Sequence, residues 1–185
     1  EYMDKLKVVV DASADHVRIE TDHPDSKGGW FNWGNDNSGS VAYELTVPAD
    51  AALDSIDTVN GDVTIESVDG EVQAGTVNGT VEVSGVRADV SLETVNGSIK
   101  AVFDELGAGQ RVNADTVNGK ITIYLPAAAS ARVVAETVNG SIDGDDFGLA
   151  VEKGFVGRDL NGKIGGGDAR VSLDTVNGSI RIKKN

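Results

Sequence analysis

Carboxylates are the groups of this chain best suited to chemistry, and they recur in step with a repeat. Asp57, Glu93, Asp115, Glu136 and Asp174 each stand immediately before a Thr-Val-Asn-Gly copy. Two carboxylates at a set separation hydrolyse glycosides, one as acid and the other as base or nucleophile. Such a pair is a local exception in a repeat array, whereas these five are members of the repeat. They read as an outward column whose mutual repulsion calls for bound cations or interleaved Lys and Arg.

The other candidates are fewer. Asp143-Gly144-Asp145-Asp146 matches the start of a calcium loop, but the twelfth position is Gly154 where that loop needs Glu. Gly165-Gly166-Gly167-Asp168 has the composition of a glycine-rich calcium roll and occurs once. No metal site is assigned; Asp143, Asp145 and Asp146 are the candidates to check. His16 and His23 are the two histidines, and neither has a nucleophile or metal motif around it. No catalytic residue is assigned and no cofactor is expected. Trp30, Phe31 and Trp33 lie together in an Asn- and Gly-rich stretch. They form a candidate ligand loop, able to stack on a sugar or enter a partner, or else to fold back over the end of the array.

Charge narrows the partners. With 30 acidic and 16 basic residues the net charge is −14. That opposes nucleic acid, which needs a basic patch, and an anionic membrane surface. It suits a solvated shell that keeps a protein rich in strand edges soluble. The chain lacks Cys, which excludes disulfides and thiolate chemistry. No run of 18 apolar residues is present to span a membrane. Glu1-Tyr2-Met3-Asp4 reads as the start of a trimmed fragment, with any signal or anchor removed.

The element that must position all of these is the repeat itself. Thr-Val-Asn-Gly occurs at 58–61, 76–79, 94–97, 116–119, 137–140 and 175–178, and Asp159-Leu160-Asn161-Gly162 is a degenerate copy. The corners are therefore expected at Asn60-Gly61, Asn78-Gly79, Asn96-Gly97, Asn118-Gly119, Asn139-Gly140, Asn161-Gly162 and Asn177-Gly178. Between them short runs alternate, as in Val63-Thr64-Ile65 and Val81-Glu82-Val83, which is the pattern of half-buried strands. An antiparallel meander and a parallel β-solenoid both fit. The solenoid is favoured, because stacked coils place like residues on like and let Asn amides bond from coil to coil. Extra residues near 103–109, 125–129 and 143–148 widen corners without disturbing the repeated edge.

The expected architecture is all-β: a parallel, single-stranded β-helix-like solenoid of about seven coils over residues 54–185. An irregular N-terminal β cap occupies residues 1–53, with strands at Leu6–Val10, His16–Glu20 and Val41–Val47. If each Val of the repeat points inward, Thr and Asn form two outward columns, as on ice-binding solenoids.

The Thr-Val-Asn-Gly-x-Ile edges, Leu125-Pro126-Ala127-Ala128-Ala129-Ser130-Ala131, and Leu160-Asn161-Gly162-Lys163-Ile164-Gly165-Gly166-Gly167 with the final repeat resemble the bacterial adhesin-type β-strand-repeat family. That family is of unknown function and is related to the toast-rack domains of envelope-stress proteins. The resemblance spans nearly the whole chain. It implies an extracytoplasmic domain, in the periplasm or on the cell surface, without a catalytic motif. The expected role is non-enzymatic adhesion, scaffolding or envelope sensing, with an envelope protein or a glycan as partner. A carbohydrate-binding or carbohydrate-active β-helix is the alternative, and a calcium-dependent or ice-binding surface the second. The oligomeric state is open.

Overall fold

The computed structural model describes residues 7–13, 16–22, 41–154 and 157–185. The chain divides into two units, Glu1–Thr46 and Val47–Asn185. In the first, β1 (Lys7–Ala12) and β2 (Val17–Asp22) form an antiparallel hairpin. Ser13 closes its turn by donating from its backbone N–H and its hydroxyl to the His16 carbonyl, at 2.7 and 3.2 Å. The strand expected at Val41–Val47 does not form. Its alternation is present, but Tyr43, Leu45 and Val47 are all exposed, and among the described residues no strand pairs with it.

The second unit is the parallel β-solenoid. One face is built by β3 (Leu53–Asn60), β5 (Val72–Asn78), β7 (Val90–Asn96) and β9 (Arg111–Asn118). The other is built by β4 (Val63–Glu66), β6 (Val81–Ser84), β8 (Ile99–Val102) and β10 (Ile121–Leu125). Each successive pair makes one coil. Alternation works as strand physics requires: Val72 and Ala74 point in, Gln73 points out, and the inward side chains of both faces meet in one core.

After the fourth coil the order of the chain and the order in space part company. The next strand, β11 (Ala131–Asp143), does not stack on β9 and β10. That place is taken by β14 (Ala169–Lys184), the last strand, which pairs in parallel with β9, β10 and β11. The chain therefore leaves a gap one coil wide, builds the sixth coil, and returns to fill the fifth.

The return passes through β12 (Glu152–Lys153) and β13 (Arg158–Ile164), and β13 runs antiparallel to β11. This corrects the expectation of seven coils to six. It also takes Asn161 and Gly162 out of the stacked Asn-Gly column: β13 runs the other way, and they lie opposite Val134 and Val133 instead of another Asn-Gly pair. Reversed direction suits the changed residues. Leu160 points into the core where a Val of the repeat would point out, and Asp159 points out where the repeat has a buried Thr. A repeat array must close its last apolar face. Here β13 does so together with Leu149, whose side chain crowds Gly162 and Gly144.

The expected orientation of the repeat is also reversed. Thr76, Thr94, Thr116, Thr137 and Thr175 are buried, and Val59, Val77, Val95, Val117, Val138 and Val176 are exposed. The outward threonine array on which an ice-binding surface depends is therefore not formed.

Candidate functional site

The repeated corner is where most polar groups of the repeat are used. Each buried Thr hydroxyl donates to the Gly carbonyl of the adjacent coil, from Thr76 to Gly61 at 3.0 Å and from Thr137 to Gly178 at 3.1 Å. Each Asn amide after Asn60 donates to the Asn of the adjacent coil. The ladder runs Asn60, Asn78, Asn96, Asn118, Asn177, Asn139, with every N···O distance between 2.9 and 3.0 Å. Glycine follows for a steric reason. A Cβ on Gly97 would lie 1.7 Å from the Gly79 carbonyl oxygen, and one on Gly119 or Gly178 would lie 1.6 Å from the carbonyl oxygen below. At these three positions φ lies outside the left-handed region, so close stacking and not torsional freedom excludes a side chain.

The face begun by β3, β5, β7 and β9 continues through the first part of β14 (169–177), the first part of β11 (131–139) and β13, and the outer surface of this β3–β14 face is arranged in rows. The acidic positions are in register: Glu93 beside Asp115, Asp115 beside Asp174, Asp174 beside Glu136, and Glu136 beside Asp159 of β13. Glu152 continues the row, while Gly75 separates Glu93 from Asp57. Partial burial pushes the Asp115 carboxyl above its ordinary range, and the negative charges of Asp174 and Glu93 add to this. Burial likewise raises Asp174, against a hydrogen bond from Ser172.

A second row was missed in the sequence. Arg111 lies beside Arg170, Arg170 beside Arg132, and Arg132 beside Lys163. Its signal was available: Arg111 and Asp115, Arg132 and Glu136, Arg170 and Asp174, and Asp159 and Lys163 are each four residues apart. Four residues of strand span about 13 Å, too far for the two charges of one strand to pair.

The opposite face gathers cations around an open depression of about 460 Å³, whose lining includes Lys100, Lys120, Tyr124, Arg181 and Lys183. Lys100 pairs with Glu82 at 2.5 Å. Lys183 pairs with Asp143 at 2.8 Å and Asp146 at 3.5 Å. Two of the three candidate calcium ligands thus converge on an ammonium group. Asp143 also accepts the Asp145 backbone N–H at 3.2 Å. The Lys183 hydrogen bond and that N–H hold the Asp143 carboxyl below its ordinary range. Among the described residues no group of three or more acidic or histidine side chains is arranged to hold a metal. His16 closes a hairpin through its backbone. His23 and the candidate loop of Trp30, Phe31 and Trp33 lie outside the described residues.

The family model Toastrack DUF4097 matches residues 35–183. The chain belongs to the Toastrack DUF4097 family. The match begins ahead of the first coil and ends within β14, so it includes the strand that returns to the fifth place. No curated protein matches the Toastrack chain. Among solved structures it is similar to the crystal structure of a "putative cell adhesion protein" from Clostridium sporogenes. The TM-score is 0.53 at 16% identity, covering 98% of the Toastrack chain and 77% of the other. At that identity the likeness carries the fold. Among the described residues of the Toastrack chain, no helix is long and apolar enough to cross a membrane.

Proposed function

We propose that this chain is a non-enzymatic, extracytoplasmic β-solenoid domain that acts by adhesion or scaffolding at the cell envelope. One observation carries the reading. The Thr and Asn side chains that recur most regularly are bonded to the next coil, so the repeat builds a stiff stack and leaves its outer faces as long rows. Surfaces of that kind suit docking to an extended or repeating partner. The family assignment and the name of the similar Clostridium sporogenes protein support it.

The test uses the immobilised chain and bacterial envelope extract. Retention of one envelope protein or glycan, without release of reducing ends or fragments from it, supports the proposal. Turnover of a glycan that is lost on changing a single carboxylate overturns it. Carbohydrate binding is the second reading, favoured by the cationic depression beside Tyr124. It predicts capture of acidic glycans, lost on Tyr124→Ala or Arg181→Ala; equal capture by those variants sinks it.

A further inference from the structure

We propose that the β3–β14 face is a docking surface for a second copy of this chain, paired with it about a two-fold axis. The inference stands on the charge pattern of that face, apart from the adhesion reading. Across β9, β14, β11 and β13, four adjacent strands, the face carries Arg111, Arg170, Arg132 and Lys163 in one row. A parallel row holds Asp115, Asp174, Glu136 and Asp159. Between them run Asn113, Ser172, Val134 and Asn161, which are uncharged and short.

Neighbours within a row are about 4.8 Å apart and repel, while the two rows are about 13 Å apart and cannot reach each other. Among the described residues the one ion pair made by these eight groups is Arg111 with Asp89, at 3.9 Å. With other described residues the remaining seven form none.

An occupant that relieves both rows must offer a negative row and a positive row at the same separation and the same strand spacing. A second copy does so by identity. Rotation by 180° about an axis parallel to the stack, above the Asn113–Ser172–Val134–Asn161 line, turns the faces together. It sets the Arg row of each copy on the acidic row of the other, coil against coil. Arg170 then faces the partner's Asp174, and Arg132 the partner's Glu136. The contact is isologous and closes as a dimer. These four strands carry four groups of each sign, while Glu93 and Glu152 extend the acidic row beyond them on either side. Partial burial already holds the Asp115 and Asp174 carboxyl groups above their ordinary range, and a facing cation relieves this. The patch is small, and exposed ion pairs are individually weak, so the dimer is weak and sensitive to salt.

Sedimentation velocity tests this on the full chain. In low salt the mean mass rises with concentration toward twice the monomer mass; in about 1 M salt, where screening acts within about 3 Å, it returns to the monomer. Arg132→Glu with Arg170→Glu makes the charged positions of the two central strands on this face, β14 and β11, all acidic, and Glu136→Arg with Asp174→Arg makes them all basic. Each variant alone is monomeric, and an equimolar mixture gives a 1:1 heterodimer. Circular dichroism checks that each variant is folded. A chain that stays monomeric at every concentration in low salt overturns the proposal. So do reversal variants that still dimerise alone, or folded variants that fail to combine when mixed.

Discussion

A repeated side chain can be exposed and still be structural, and Asn96 shows how. Its amide donates to Asn78 and its carbonyl oxygen accepts from Asn118, at 3.0 and 2.9 Å, while the side chain remains open to water. Water competes for both bonds, so each contributes at the lower end of the usual range. Asn96→Ala is expected to destabilise by about 1 kcal/mol, read as a shift in the denaturant midpoint at unchanged slope. A loss well above that would mean the ladder is protected from solvent. The acidic row works in the opposite sense. Asp115 has its carboxyl raised by burial and then by Asp174 and Glu93. A carboxyl whose folded pKa exceeds its unfolded value costs stability at neutral pH. That cost fades as pH falls through the raised value toward the ordinary carboxylate range near 3.9. Asp143, held low by Lys183, contributes in the other direction, and its stabilisation is lost only below the ordinary range. Mild acidification from neutrality should therefore raise the melting temperature of dilute protein. Asp115→Asn should raise it at pH 7 by the equivalent of about 0.5 kcal/mol and flatten that rise. A steeper acid response in the variant would contradict the assignment.

At the scale of the strand, what matters is how inward columns fit from coil to coil. Ala74, Leu92, Ala114, Leu173, Ala135 and Leu160 follow one another in space through directly paired strands, and all are buried. Small and large alternate without a break. Coils about 4.8 Å apart are thinner than a Leu side chain, so each Leu spreads over the Ala layers on both sides. In chain order the same column reads Ala, Leu, Ala, Ala, Leu, Leu. Stacked that way, Ala114 would meet Ala135 across a void, and Leu160 would crowd Leu173. The return of β14 to the fifth place resolves both. Leu173→Ala would put three alanines in succession at a site that cannot collapse, and should cost about 3–5 kcal/mol by denaturant titration. A loss below about 1 kcal/mol would show that the column is loosely packed.

For the molecule as a whole, the consequence is that the end of the chain lies inside the stack. If coils followed the sequence, removing residues 169–185 would trim the last coil and leave a shorter solenoid. In this fold the removal takes out β14, on which β9, β10 and β11 all pair. The fourth and sixth coils then lose their shared partner, and the apolar faces of both open to water. The truncated chain should lose cooperative unfolding and most of its strand signal in circular dichroism. A truncated protein that melts cooperatively, at a temperature only slightly reduced, would contradict this topology. It also follows that the final strand must be synthesised before the stack can close, so local contacts alone cannot complete this fold.

The strand pattern, the stacking of Asn on Asn through six coils and the parallel solenoid were legible in the sequence, because a period-two pattern and a tetrapeptide at fixed spacing are local properties. Which side of the repeat faces inward was not. Thr and Val both suit strands, and the decision went to Thr because its hydroxyl finds the Gly carbonyl of the next coil, at 3.0 Å for Thr76. Nor was the fate of Asp159-Leu160-Asn161-Gly162 visible: it reads as one more copy until β13 is seen running against β11 to close the stack. The rows of Arg and acid were each in the sequence as residues four apart, yet four separate pairs become one face only when β9, β14, β11 and β13 lie side by side. The order of the coils belongs to tertiary structure alone, since it depends on whether Ala114 meets Ala135 or Leu173, a matter of filled volume between segments far apart in the chain.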